Sequence, residues 1–329
     1  MFTVVIPAHN AEATLPTALA SVARQTLLPS EVLVIDDASI DRTVDVASRF
    51  ENDLPLRILM RDEPGPGGYA ARNYGVAQAQ NQWIAFLDSD DSWTDEHLST
   101  LEAAMCEFPH YRFFTTGRLL VTSEPDSPQQ RDLYTLAARE TYDEMPVNDL
   151  LDAMLVGQSP ALTSCVAVTK AALHHAGGFP AGRAKQGGDE DLWLRLAING
   201  YSLLRINKLT TLYTWGRPGS VTNTKSNIQG LHPIYQTAKA IKSLKIDSSI
   251  IRKLDSLANE KQLNWLRDAG GYRNKAEGLK TLSFSKLTSR GRVRFLLWLG
   301  SPSFIDCMVR SLYRAARRKI VSSANVSKL

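Results

Sequence analysis

Trp83-Ile84-Ala85-Phe86-Leu87-Asp88-Ser89-Asp90-Asp91 is the stretch whose reading decides the fold. An apolar run closed by a polar turn reads as a buried strand. Carboxylates crowded at its carboxyl end repel one another unless a cation neutralises them. In open α/β sheets that end of the strands is where ligands bind. Hard oxygen donors suit Mg²⁺ or Mn²⁺, which also coordinate phosphate oxygens. The stretch therefore points to metal-bound nucleotide chemistry. Its other reading is a solvated acidic turn at the start of the next helix.

Working upstream, strand and helix patterns alternate. Phe2–Ile6 is a β-rich run ended by Pro7, and Leu15, Leu19, Val22 and Ala23 follow at helical spacing. Glu31–Ile35 is a second strand ended by Asp36-Asp37, followed by a helix through Val44 and Ala47. Leu56–Met60 is a third strand, and a glycine-rich loop, Pro64–Gly68, leads into a helix from Tyr69 to about Ala79. That loop has neither the G-x-x-x-x-G-K-[ST] order nor a strict G-x-G-x-x-G, so it is not read as a phosphate cradle. Downstream, a helix over 95–108 completes the series. The alternation predicts an α/β fold with a largely parallel sheet covered on both faces.

Residues 122–132 read as a loop. From 147 to 214 the pattern is mixed, with a strand near Cys165–Val168 and an amphipathic helix over Asp189–Asn199. Past Asn227 the chain reads as helical, with basic clusters and a break at Gly270-Gly271. A boundary near 228 divides a 1–228 domain from a helical basic region, 229–329.

The net charge of +4 hides an asymmetry: residues 230–329 hold 20 Lys/Arg against 6 Asp/Glu, whereas 1–229 hold 18 against 28. The last hundred residues are thus expected to meet something anionic. Arg290, Arg292, Arg294, Arg310, Arg314, Arg317, Arg318 and Lys319 flank Phe295–Leu299 and a second apolar set at 305–313. Basic residues beside apolar and aromatic ones suit a helix lying in a membrane interface. The alternative is a helical bundle packing on the 1–228 domain, or a dimer interface, with solvated basic faces. No nucleic-acid-binding module is recognisable, so no nucleic-acid partner is expected. Three scattered cysteines, no signal-peptide pattern and no long apolar segment predict a cytoplasmic setting.

Five stretches together resemble the family 2 glycosyltransferases, which have the GT-A fold. Val4-Val5-Ile6-Pro7-Ala8-His9-Asn10 is similar to their V-I-P-x-Y-N. Val34–Thr43 resembles V-D-D-x-S-x-D-x-T, and Ala71-Arg72-Asn73-Tyr74-Gly75 resembles A-R-N-x-G. Phe86–Asp91 resembles F-L-D-x-D-D. Gly177-Gly178-Phe179, with Asp189 to Leu196, resembles the acceptor-side G-G-F and D-x-D-L-W-L-R-L. The likeness covers roughly 2–225.

The resemblance implies an inverting transfer of sugar from a nucleoside-diphosphate donor, UDP by default, to a hydroxyl of a glycan or lipid-linked acceptor. Pro7, Ala8, His9 and Asn10 are expected at the base, with the His9 ring stacking where the family has Tyr. Asp37 is expected to accept from the base N–H, or else to serve as a turn acid. Asp41 is the better capping candidate. Arg72 supports the donor site or forms a structural ion pair. Asp91 is expected to ligate Mn²⁺ or Mg²⁺, with Asp90 as the ribose or second metal contact and Asp88 either supplementing them or only ordering the loop. Asp189 takes the general-base position, although Gly188 stands where an acid is usual, and Asp191 is the runner-up. Arg217, in a stretch resembling Y-R-x-x-P-G-S, is expected to reach the diphosphate. Two competing readings are a sugar-phosphate nucleotidyltransferase and a non-catalytic nucleotide-sugar or membrane-binding protein.

Overall fold

The computed structural model describes residues 1–122, 130–131, 135, 140–216, 231–241, 246–269 and 280–300. The first half runs β1 (Phe2–Ala8), α1 (Leu15–Ala23), β2 (Glu31–Asp37), α2 (Thr43–Ser48), β3 (Leu56–Arg61), α3 (Tyr69–Gln78) and β4 (Trp83–Phe86). It continues through β5 (Ser92–Trp93), α4 (His97–Glu107), β6 (Phe113–Thr122), β7 (Gln130–Arg131), β8 (Tyr142–Met145) and α5 (Val147–Leu155). Then come β9 (Val166–Thr169), α6 (Lys170–His175), α7 (Gly188–Ile198) and β10 (Leu203–Trp215). Three further helices close the described chain: α8 (Pro233–Ala240), α9 (Ser248–Ala269) and α10 (Ser289–Gly300).

The strands form one sheet in the order β3-β2-β1-β4-β9-β6-β10-β5, with β7 on β6 and β8 on β10. β3, β2, β1 and β4 are mutually parallel. β9 runs antiparallel to both β4 and β6, and β6 and β10 are again parallel. The chain winds outward from β1 through β2 to β3, then returns to β4 on the other side of β1. That reversal opens a crevice at the carboxyl ends of β1 and β4, where α/β sheets take ligands.

β1 and β2 are buried along their whole length, as near-continuous apolar strands inside a parallel sheet must be. Their side chains alternate between two cores. Val4, Ile6, Val32 and Val34 pack with α1 and α4, whereas Val5, Leu33 and Ile35 pack with α3 and α7. α3 approaches closely because residue 75 is glycine: a Cβ there would lie 2.6 Å from Val5 Cγ1.

The expected break at 228 is not a break in packing. Leu150, Leu151 and Met154 of α5 and Leu194 and Ala197 of α7 share one core with Ile234, Tyr235 and Ala238 of α8 and Leu254, Leu257 and Ala258 of α9. α10 packs in turn on α9 through Phe295 and Trp298. Gly270-Gly271 and the basic residues from 310 to 319 lie outside the described residues.

Candidate active site

A cleft of about 1070 Å³ lies over the carboxyl ends of β1 and β4. Pro7, Ala8, His9, Asp37, Arg72, Asp88, Asp90 and Asp189 line it, so segments some 180 residues apart in the chain converge there.

At the ends of β1 and β2 the His9 ring is fixed between the two strands. Its Nδ1 lies 2.7 Å from the Asp37 carbonyl oxygen, which only accepts, so Nδ1 carries the proton. Asn10 Oδ1 accepts from Ile40 N–H at 2.9 Å, which turns the Asn10 amide nitrogen towards His9 Nε2 at 3.2 Å. Asn10 is thus a turn holder with φ +49° rather than part of the cleft wall. Asp37 is ion-paired with Arg61 and accepts from Gly65 N–H at 2.9 Å, so the glycine-rich loop is tied to β2. Asp41 accepts from Glu12 N–H and Thr43 N–H, holding the turn before α2.

The acidic run divides in two. Asp88 and Asp90 face the cleft, whereas Asp91 is 2% exposed and does not line it. Asp91 accepts from Ser164 Oγ at 2.5 Å and from Thr214 N–H at 3.0 Å, stapling the end of β4 to β10 and to the turn before β9. Burial first, then Asp88 and Asp90, push its carboxyl well above the usual range. The expectation that Asp91 is the principal metal ligand is therefore corrected: both oxygens are spent on protein donors behind the wall. Asp88 and Asp90 are the carboxylates of the run that line the cleft, Asp88 ion-paired there with Arg72. Mg²⁺ or Mn²⁺ is commonly held by one or two carboxylates plus substrate phosphates, a donor chemistry that two cleft-facing carboxylates match. Among the described residues no group of three or more His, Cys, Asp or Glu side chains is arranged as a closed metal cage.

Arg72 is nearly buried and sits at the centre. Its Nη2 donates to Asp88 Oδ1 at 2.5 Å and its Nη1 to the Gly67 carbonyl at 3.1 Å. Its guanidinium also lies 5.6 Å from the Phe179 ring centroid and feels the charge of Asp189. Asn73 clamps Phe179 by two backbone bonds of 2.9 Å each, fixing the glycine turn that precedes α7.

Asp189 stands in the first turn of α7. Burial, then the neighbouring Glu190, raise its carboxyl above the usual range, against the pull of Glu190 N–H and Arg72. A carboxylate so raised is the stronger proton acceptor. Asp191 is 1% exposed, bound to Arg195 Nε at 2.9 Å and Thr237 Oγ1 at 2.6 Å. It faces α8, which removes it as the alternative base. Arg217 lies outside the described residues.

Several site residues were not legible from motifs. The Tyr69 hydroxyl accepts from Gly188 N–H at 2.8 Å and so sets the start of α7. Glu190 pairs with Lys261 of α9. Lys261, Asn264, Trp265 and Asp268 all line the cleft from α9. Their spacing of i, i+3, i+4 and i+7 marks one helix face and was the available signal.

The order of strands, the crevice at β1 and β4 and the acidic pair define a nucleotide-binding α/β fold of the GT-A type. The Glycosyl transferase family 2 model matches residues 3–158 of the chain. A PGL/p-HBAD biosynthesis glycosyltransferase of Mycobacterium bovis (strain BCG / Pasteur 1173P2) is 40% identical over 92 residues, 28% of this chain and 36% of that protein. The succinoglycan biosynthesis protein ExoW of Rhizobium meliloti (strain 1021) is 43% identical over 111 residues, 32% of this chain and 34% of that protein. These matches span about a third of each relative's length. The structure of S. aureus TarS 1–349 in complex with UDP-GlcNAc superposes with a TM-score of 0.68 at 18% identity, covering 90% of this chain and 88% of that one. That likeness extends the fold through the helical region. No helix among the described residues is long and apolar enough to cross a membrane.

Proposed function

We propose that this chain transfers a sugar from a UDP-sugar to a hydroxyl of a glycan or lipid-linked acceptor, with inversion, in surface polysaccharide or glycoconjugate assembly. The observation that carries the reading is Arg72, bonded to Asp88 on the donor side and electrostatically coupled to Asp189 on the acceptor side. It brings a diphosphate-facing acid pair and a basic carboxylate into one cleft. The UDP assignment draws on the TarS complex, and the pathway class on the relatives' names.

In the reaction, Asp189 takes the proton of the acceptor hydroxyl as its oxygen bonds to the anomeric carbon. The bond from that carbon to the diphosphate oxygen breaks on the opposite face, and the nucleoside diphosphate leaves. Asp90 and Asp88 would hold Mg²⁺ or Mn²⁺, which would supply neutralisation of charge on the leaving diphosphate. Arg72 orients Asp88 through their ion pair. His9 and the ends of β1 and β2 receive the base. Arg217 is assigned to the diphosphate on resemblance alone. The outer side of α10 exposes Val293 and Leu296 beside Arg290 and Arg292, a pattern suited to peripheral contact with an anionic cytoplasmic membrane face.

Thermal shifts with UDP-, dTDP- and GDP-sugars, each with and without Mn²⁺ or Mg²⁺, test the reading. A ligand bound only by the folded state raises apparent stability. Stabilisation by UDP-sugars that needs the metal and is lost in Asp90→Ala is expected. A folded sample that responds to none of these donors would overturn the assignment.

A further inference from the structure

The segment between Phe179 and α7 lies along the start of α3 as a strap held at three points. At one end, Asn73 of α3 clamps Phe179 by two backbone bonds of 2.9 Å each. At the other end, Gly188 N–H donates to the Tyr69 hydroxyl at 2.8 Å. Between them the Lys185 carbonyl lies against Gly67, where a Cβ would collide with it. Gly67 has φ +72° and Gly68 φ +68°, so two successive glycines in the left-handed region make the low turn on which the strap rests. The Gly67 carbonyl accepts from Arg72, the ion-pair partner of Asp88. The strap thus fixes the Lys185 backbone on the Arg72–Asp88 side, and the exposed Lys185 side chain lines the cleft. We propose that Lys185 binds the diphosphate of the nucleotide. The inference rests on the transferase reading above and gives that reading a phosphate-binding residue that no sequence motif singles out.

The charges around the cleft support it. Arg72, Lys185 and Lys261 are the lysines and arginines that line it among the described residues. Arg72 is committed to Asp88 and to the Gly67 carbonyl, and Lys261 to Glu190. Two further carboxylates of the lining, Asp37 and Asp268, pair with Arg61 and Arg267. Lys185 alone of the three cations has no ion-pair partner among the described residues. A cation left over on this wall suits an anion that arrives with the substrate. A lysine ammonium serves phosphate as a point charge, through short charge-assisted hydrogen bonds. The geometry suits that use, because the backbone is pinned while the four-carbon stem can follow the phosphates. The strap also holds its own contrast. Arg183, two residues away, is exposed but does not line the cleft.

Titration of the full chain with uridine and with UDP, each in Mn²⁺, tests the assignment, since the two ligands differ only in the diphosphate. Lys185→Gln should weaken UDP about tenfold or more and leave uridine within about twofold, as loss of a charge-assisted bond to phosphate requires. Lys185→Arg keeps the charge and should hold UDP within about threefold of the wild-type chain. Arg183→Gln removes a cation from the same strap and should leave both ligands within about twofold, because an exposed charge outside the cleft is largely screened. Unchanged UDP affinity in Lys185→Gln would overturn the inference. An equal loss of uridine and UDP would also overturn it, because the effect would then lie in the shape of the site and not in the phosphates. So would an equal loss of UDP in Arg183→Gln, which would reduce Lys185 to general attraction. A wild-type chain that binds no UDP would remove the transferase reading itself, a result distinct from any of these.

Discussion

Replacing Asp90 and Asp91, one at a time, by asparagine separates two neighbouring carboxylates that the sequence treats alike. Asp91 accepts from the Ser164 hydroxyl and from Thr214 N–H behind the cleft wall. Ser164 Oγ also accepts from Asp88 N–H at 3.1 Å, so it has one proton to give and Asp91 takes it. In Asp91→Asn the amide oxygen keeps the Thr214 bond, but its NH₂ faces a hydroxyl whose proton must turn elsewhere. One charge-assisted bond is lost, worth about 1.5–3 kcal/mol, partly offset because a buried charge is removed. A net destabilisation of about 1–2 kcal/mol is expected. Asp91→Ala also leaves Thr214 N–H unpaired, and both bonds together bring the cost to about 3–5 kcal/mol. Asp90 is only half-buried, so Asp90→Asn should change stability by no more than about 0.5–1 kcal/mol. Its effect falls on the metal. Losing an outer-shell partner alone costs about 10–100-fold in metal affinity, so losing a direct ligand should cost at least that. Urea unfolding paired with calorimetric titration of UDP, with and without Mn²⁺, measures both quantities. Asp91→Asn should shift the urea midpoint and keep metal-dependent UDP affinity within about threefold, and Asp90→Asn should do the reverse. Loss of metal-dependent UDP binding in Asp91→Asn with an unmoved midpoint would refute the division of labour.

The remaining predictions concern other links in the same structure. Tyr69→Phe removes the acceptor of Gly188 N–H at the start of α7, so it should lower kcat more than it changes donor affinity; an unaltered kcat would show that Asp189 does not depend on that bond. Gly75→Ala drives a methyl to 2.6 Å from Val5 Cγ1 and should cost about 1–3 kcal/mol in chemical denaturation, with neutral behaviour implying that α3 can shift. Glu190→Gln removes the charge that raises Asp189, so the acidic limb of kcat/KM against pH should move to lower pH; movement the other way would contradict the assignment. Burial holds His97 neutral, with a pKa lowered to about 3 from 6.5. The unfolded chain therefore binds the extra proton as pH falls below 6.5, and stability is lost in that direction. His97→Gln should lose less, by about 1.4 kcal/mol per pH unit between pH 6 and 4, and parallel pH–stability curves for the two proteins would count against a buried neutral ring.

The strands and the cleft they border were legible in the sequence because local pattern and tertiary position coincide there. Each strand of β1, β2 and β4 is a short apolar run, and the residues that follow its end line the cleft, so reading the strand end also reads the candidate site. The burial of Asp91 was not legible for a definite reason. In Asp88-Ser89-Asp90-Asp91 the direction each carboxylate takes depends on partners far along the chain: Arg72 draws in Asp88, while Ser164 and Thr214 draw in Asp91. Spacing within the motif contains no information about those partners. The same holds for Asp189 and Asp191, which share one helix turn. Thr237 and Arg195 engage Asp191 and leave Asp189 to the cleft.

The helical region was read as an appendage because its charge differs so sharply from the rest. Charge is a property of surfaces, and here it hid a shared interior. Leu254, Leu257 and Ala258 bury one face of α9 against α5, α7 and α8, and burying that face leaves its polar neighbours at the cleft. Lys261 then reaches Glu190, one residue from the candidate base. On the proposed function, α9 then bears on the chemistry as well as on stability. A chain cut at 228 would expose the apolar faces of α5 and α7 and lose the counter-charge of Glu190. It would retain the residues proposed to meet the nucleotide, from Pro7 to Asp90, so on the proposed function donor contacts and acceptor-side geometry belong to different parts of the sequence although one cleft contains both.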